Sequence, residues 1–441
     1  MKTRNQLSAL IAKANQNADY REQFLKSPKA EIENELGVNL PENHAIVVHE
    51  STYDETHLVL EPRDKYSEAE REEAKNGVAS LDFLRKTMHD PAPPIRPIET
   101  SDTTIDHAMV SPSVLAAKAR ESIERGLAFL DAAVDPNGAW RCIRFNIANP
   151  EIPRHYERPP FVSAYCALAL ASSNEKIAKS IYARTQSFLC SAMEYPGLWR
   201  YYRHLPNDLD STVLCSLVVD SHPWMLLESH VPTILANRDE NGLFMTWIRA
   251  GNEPEVVTPF RIEADPVVNA NVLRLLGDCA ATKEVQAWLV KTIMDGTALG
   301  KSKWYPDPIS LYYATSRAIV DMPSLYDTLR PILTARILEL CDASGEFANV
   351  LQVAQAVSAL YNIKNLEEID LKQQLQAILS MQRDDGSWPE LLAFGDQALN
   401  WGSIGQIGHA SESITSAFCI EALERLAKQL NTSNKSVQSK P

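Results

Sequence analysis

The stretch LKQQLQAILSMQRDDGSWPE, residues 371–390, decides how the rest of the chain reads. Its first half is amphipathic at helical spacing; Asp385-Gly386 then breaks the pattern and Trp388 follows. The same unit returns along the chain. Turns carrying glycine and an aromatic residue occur at DPNGAW (135–140), EYPGLW (194–199), RDENGLF (238–244) and DASGEF (342–347). One connection, GTALGKSKWY (296–305), lacks this signature.

More apolar helices follow: PPFVSAYCALALA (159–171), DLDSTVLCSLVV (208–219), DPVVNANVLRLLG (265–277), DPISLYYATSRAI (307–319), NVLQVAQAVSAL (349–360) and SESITSAFCIEAL (411–423). They recur at intervals of roughly 40–60 residues, near the range that marks repeat architectures. Helices apolar nearly all round belong inside and amphipathic ones outside. The expected fold is therefore all-α: an (α/α)6 barrel, or toroid, of six helical hairpins. Parallel inner helices would gather their N-termini at one mouth, with Asp208, Asp210, Asp265 and Asp307 on its rim.

Bulk properties narrow the function. Formal charge is 43 − 57 = −14, which argues against nucleic acid and anionic lipid as partners. No apolar run reaches the ~18 residues of a membrane span, and MKTRNQLSAL at the N-terminus carries no secretory signal. Seven cysteines without a CxxC pair read as reduced thiols, so a cytoplasmic location is expected. Residues 1–87 are rich in charge and helix formers and predict a small α+β region. Residues 88–113 are proline-rich and read as a linker, 114–428 form the array, and 429–441 read as a disordered tail.

The unit at 371–390, with Gln382 and Gly386-Ser387-Trp388, resembles the Gln-Trp repeat of squalene-hopene cyclases and related prenyltransferase-like toroids. SIERGLAFLDAAVDPNGAW (122–140) is a weaker copy. DLDST (208–212) resembles the Asp-x-Asp-Asp acid motif of class II terpene cyclases, with Ser211 in place of its last aspartate. A single barrel matches best the one-domain class II cyclases of the merosterolic acid type, which make meroterpenoids. In the related protein prenyltransferases zinc is held by Asp, Cys and His. Here Cys341-Asp342 is reversed and His409 precedes its helix, so no metal site is expected. Residues 18–50 and THLVLEP (56–62) resemble nitrile-hydratase-like leader regions of modified-peptide precursors, implying short helices and two strands with no catalysis of their own.

The resemblance implies that Asp210 donates a proton to an alkene and that Asp208 modulates it, with Ser211 or Thr212 bonding the spectator oxygen. Alkene protonation needs an acid that keeps its proton near neutrality, which burial and a second carboxylate both favour. The plainer reading of both aspartates is helix capping. Asn269 and Asn271, amides in an apolar helix, are candidate partners of the acid or else inter-helical bonds. Aromatic faces stabilise cations without acting as bases. Candidates for the cavity wall are Phe161, Tyr165, Trp247, Trp304, Tyr305, Tyr312, Tyr313, Trp401 and Phe418, each with core packing as its alternative. Trp140, Trp199 and Trp388 read as structural staples on the outside. Arg203, Lys301, Lys303 and Arg317 are the candidate partners of a polar head group.

The expected activity is a proton-initiated cyclisation of a hydrophobic prenyl chain, such as farnesyl on an aromatic acid. No cofactor is expected, and Mg²⁺ would enter only with a diphosphate head. The alternative is a non-catalytic toroid that binds a peptide or a modifying enzyme through its leader-like arm.

Overall fold

The computed structural model describes residues 13, 17–36, 90–91, 96, 112–147, 151, 154–194, 197–201, 205–219, 230–248, 264–298, 302–396 and 407–438. The chain divides into two compact units, one of residues 1–87 with 223–229 and the other of residues 88–222 with 230–441. In the first unit, α1 (Ala18–Lys26) is capped by Asn17, whose side chain accepts from the Tyr20 amide, and α2 (Pro28–Leu36) follows. Phe24 is buried there against Tyr20 and Ile32. The two strands expected in the leader-like region do not fall among its described residues.

The second unit begins with a short strand, β1 (Asp90–Pro91). Six hairpins follow, each an outer and then an inner helix. They are α3 (Pro112–Ala133) with α4 (Pro160–Leu170), and α5 (Lys176–Ser191) with α6 (Leu209–Val219). Next come α7 (Val231–Ala236) with α8 (Pro266–Leu276), and α9 (Lys283–Met294) with α10 (Pro308–Ala318). The last two are α11 (Pro323–Leu338) with α12 (Val350–Asn362), and α13 (Leu371–Ser380) with α14 (Glu412–Gln438). Each inner helix packs on the next, and α14 packs on α4, so the ring closes as an (α/α)6 barrel.

The inner helices are inside because their sequences leave no polar face. Phe161–Leu170 of α4 and Val350–Leu360 of α12 are buried throughout. Their starts are set by local chemistry. Pro266 and Pro308 supply the fixed φ of a first turn, and Asp265 and Asp307 cap it with side-chain oxygens.

The glycine–tryptophan turns join the two layers. Trp140, Trp199 and Trp388 are fully buried between the helices, not on the outside as expected. Their indole N–H groups donate to Thr185 Oγ1, the Leu189 carbonyl and the Ile378 carbonyl. Their backbone N–H groups donate to Ser163, Thr212 and Ser416, one hydroxyl on each following inner helix. Gly386 is required by its φ of +86° and by proximity: a Cβ there would lie 2.3 Å from the Arg125 carbonyl oxygen. Gln382 closes the turn by donating to the carbonyls of Ser122 and Gly386.

Three features depart from expectation. Long connections before α4 and α14 form β2 (Cys142–Asn146), β3 (His155–Glu157), β4 (Leu392–Asp396) and β5 (Ile407–Ala410). With β1 they make an antiparallel sheet in the order β1-β3-β2-β5-β4 at the N-terminal mouth of the inner helices. Arg96, in the stretch read as a linker, pairs with Asp385 and Glu412 of the barrel. The tail expected to be disordered continues α14 to Gln438, because no glycine or proline intervenes and extending a formed helix costs little.

Candidate active site

The two aspartates at the start of α6 have different surroundings. Asp208 is the cap: Oδ1 accepts from the Ser211 amide at 2.6 Å and Oδ2 from the Tyr201 amide at 2.9 Å. Burial pushes its carboxyl up to about 6, opposed by these bonds. Asp210, in the first turn of the helix, caps nothing. Its Oδ1 accepts from the Asn271 amide of α8 at 3.2 Å, and its Oδ2 accepts the Tyr305 hydroxyl.

Asp210 is 8 % exposed, and its acidity is a balance of opposed effects. Burial pushes it up to about 8, helped by the charges of Asp208 and Asp265, while Tyr305 and Asn271 pull it down. The group therefore holds its proton at neutral pH. The two donors then stabilise the carboxylate left after the proton departs, as does the N-terminal turn of α6. Burial and the neighbouring Asp210 push the Tyr305 hydroxyl well up, so it stays a donor.

Asp208 and Asp210 form one wall of a cavity of about 310 Å³. Phe161, Trp247 and Trp304 line it. Trp247 and Trp304 meet edge to face with centroids 5.8 Å apart, and Lys303 lies 4.9 Å from the Trp304 ring centre. The mouth sheet supplies the facing wall through Arg144, Phe394, Ile407 and His409. Arg144 and Phe394 both stand opposite His409 in the register, so all three share one face. His409 Nε2 lies 3.2 Å from Glu157, which also accepts from the Tyr201 hydroxyl at 3.3 Å.

Other sequence candidates lie elsewhere. Thr212 is engaged with the backbone of Trp199, and Asn269 holds Phe244 through its N–H at 2.9 Å and its carbonyl at 2.8 Å. Neither touches Asp210. Both occupy the position on the inner helix that anchors the preceding turn, the role Ser163 plays in α4. Tyr165, Phe418 and Tyr313 form an aromatic column filling the barrel axis, linked at 4.8 and 5.4 Å. Tyr165 stacks on Phe161 at 5.6 Å, which places the column next to the cavity wall. Tyr312 is buried in the field of Arg336 of α11 and of Glu339 at its C-cap, facing the outer layer. Arg317 bonds the Tyr313 hydroxyl and the Leu168 carbonyl near the C-terminal end of α10, about 14 Å along the helix from the mouth. It is not a head-group ligand at the mouth. Trp401, Arg203 and Lys301 lie outside the described residues.

Tyr305 was legible as an aromatic residue at the mouth but not as a partner of the acid. No motif in the sequence assigns Tyr201, Phe394 or His409 to the cavity they line. For Phe394 and His409 the signal is length: about twenty residues separate Trp140 from α4 and Trp388 from α14, against about ten between Trp199 and α6, the short connection that carries Tyr201. Among the described residues no group of three or more His, Cys, Asp or Glu side chains is placed to hold a metal ion, and no helix is long and apolar enough to cross a membrane.

Comparison with solved structures places the fold. The type II terpene cyclase MstE from Scytonema, in complex with merosterolic acid A, superposes with a TM-score of 0.56 at 18 % identity, over 72 % of this chain and 99 % of that one. The barrel has the fold of the type II terpene cyclases. MstE in complex with geranylgeranyl dihydroxybenzoate gives the same values. A protein from Actinoplanes gives 0.57 at 17 % identity, over 70 % and 99 % of the two chains. No protein-family model and no curated protein matches the sequence.

Proposed function

We propose that this protein is a proton-initiated terpene cyclase acting on a prenylated aromatic acid. The observation that carries the reading is Asp210, a buried carboxyl kept protonated near neutrality in the wall of an aromatic cavity. Its proton adds to the terminal alkene of the prenyl chain. The π electron pair forms the new C–H bond, leaving a tertiary cation that each following double bond attacks in turn. Loss of a proton from the last cation restores an alkene, so proton gain and loss balance. Phe161, Trp247, Trp304 and Phe394 offer π faces to the migrating charge, and the cavity excludes water that would quench it.

The head group is read from the charge on the wall. Arg144 is the cation that lines the cavity among the described residues, and one guanidinium suits a carboxylate where a diphosphate calls for several converging cations. A carboxylate-headed substrate needs no Mg²⁺. The chain bound by MstE, geranylgeranyl dihydroxybenzoate, is of this class and serves as the first probe. Conversion in D2O to a cyclised product carrying one new C–D bond supports the reading. A panel of geranylgeranyl and farnesyl dihydroxybenzoate, farnesyl diphosphate and squalene that is left wholly unconverted contradicts it.

A second reading, a non-catalytic toroid that binds a peptide or modifying enzyme through its leader-like arm, has one observation in its favour. The barrel axis at Tyr165, Phe418 and Tyr313 is filled. A binding scaffold has no use, however, for a second buried carboxyl that caps nothing, and burying one is costly.

A further inference from the structure

We propose that Ser302, held by Asp265, is the positioning residue that sets the Tyr305 hydroxyl against Asp210. The inference rests on the reading of Asp210 as the acid. Asp265 is 1 % exposed and uses its two oxygens differently. Oδ1 caps α8, accepting from the amides of Val267 at 2.8 Å and Val268 at 3.4 Å. One oxygen suffices for a cap. Oδ2 is committed to the connection that follows α9: it accepts the Ser302 hydroxyl at 2.7 Å, the Lys303 amide at 3.0 Å and the Trp304 amide at 3.4 Å. Ser302 Oγ in turn accepts the Tyr305 amide at 2.9 Å. A single hydroxyl thus links the cap of one inner helix to the backbone of the residue whose phenol meets the acid.

This clamp stands where the repeat has lost its own device. At Trp140, Trp199, Phe244 and Trp388 a connection fixes its last residues with a positive-φ glycine and a buried aromatic whose backbone is anchored on the next inner helix. The connection 296–305 keeps a positive-φ glycine at Gly296, but its buried Tyr305 donates its backbone N–H to Ser302 Oγ, which Asp265 holds from the preceding inner helix. The Gly395 amide of β4 adds one more tie, to the Trp304 carbonyl at 2.7 Å.

A site held in this way is sensitive to small displacements. The groups acting on Asp210 are Asp208 and Cys215 from α6, Asp265 and Asn271 from α8, Tyr165 from α4 and Tyr305 itself. Of these, Asp265 and Tyr305 both bond Ser302; without the hydroxyl Asp265 Oδ2 still accepts the Lys303 and Trp304 amides, whereas the Tyr305 amide loses its acceptor. The bond from the Tyr305 hydroxyl favours the ionised form of Asp210, so releasing it raises the titration midpoint.

The test is the titration of Asp210, followed by NMR of protein labelled at the aspartate carboxyl carbons, with the Asp210 signal identified by its loss in Asp210→Asn. Ser302→Ala is expected to raise the midpoint by about one unit, and Tyr305→Phe by the same amount. The double variant is expected to go no further than Tyr305→Phe alone, because both changes remove the same bond. Ser302→Thr, which keeps the hydroxyl, is expected to titrate as the unaltered protein does. A Ser302→Ala midpoint equal to that of the unaltered protein, or shifts that add in the double variant, would overturn the assignment. No substrate is involved, so failure of the cyclase reading itself shows separately, as absence of conversion by the unaltered protein.

Discussion

The side-chain amide of Asn271 donates to Asp210 Oδ1 across 3.2 Å, from one inner helix to the next. Two residues earlier on α8, Asn269 points its amide at the backbone of Phe244. The pair predicts a clean separation of effects. Asn271→Leu removes a bond that favours the carboxylate, so turnover should fall about 10–100-fold with little loss of stability. Asn269→Leu strands a buried backbone N–H and carbonyl and should cost about 1–3 kcal/mol, with the folded fraction still active. Denaturant titrations beside steady-state rates distinguish the two.

Asp208 should behave as a cap with a secondary catalytic effect. Asp208→Asn keeps one accepting oxygen but not both, and should destabilise by about 1 kcal/mol. Removing its charge also takes away one of the effects that keep Asp210 protonated. The activity profile should therefore lose its alkaline end first, which a pH–rate series for this variant would show.

The pH dependence follows from the same carboxyls. An unfolded aspartate titrates near ~3.9, whereas Asp210 is pushed up to about 8 in the fold. Between those values the folded chain binds more protons than the unfolded one, so this group's contribution to stability falls as pH rises through the window. Asp208, pushed up to about 6, adds the same sign over a narrower range. Thermal midpoints should decline from about pH 4 to about pH 8, and Asp210→Asn should flatten that slope. Turnover should be level below about pH 7 and fall as Asp210 ionises.

Chelation should leave activity on a carboxylate-headed substrate unchanged. An EDTA-sensitive activity restored by Mg²⁺ would instead point to a diphosphate head.

The barrel was legible because its causes are local and repeated. A glycine turn, a tryptophan and a helix without a polar face recur often enough to specify inside, outside and direction, and parallel inner helices then bring Asp208, Asp210 and Asp265 together. The site was only partly legible because residue type does not reveal which partner a side chain meets. Thr212 and Asn269 look like acid partners in sequence, yet they occupy the repeat's own anchoring position. Arg317 follows a mouth residue by ten positions, which in a helix is a barrel depth away. His409 and Phe394 sit on strands too short for an alternating pattern to stand out.

The most direct measurement is deuterium uptake by geranylgeranyl dihydroxybenzoate in D2O, with the unaltered protein and with Asp210→Asn. The substitution keeps the shape of the side chain and an accepting oxygen, and it removes a carboxyl whose burial opposes folding at neutral pH, so the variant should fold at least as stably. Its amide cannot deliver an acidic proton, and cyclisation should fall by at least ~10³. Near-normal formation of deuterated product by Asp210→Asn would show that the proton comes from elsewhere and would contradict the account.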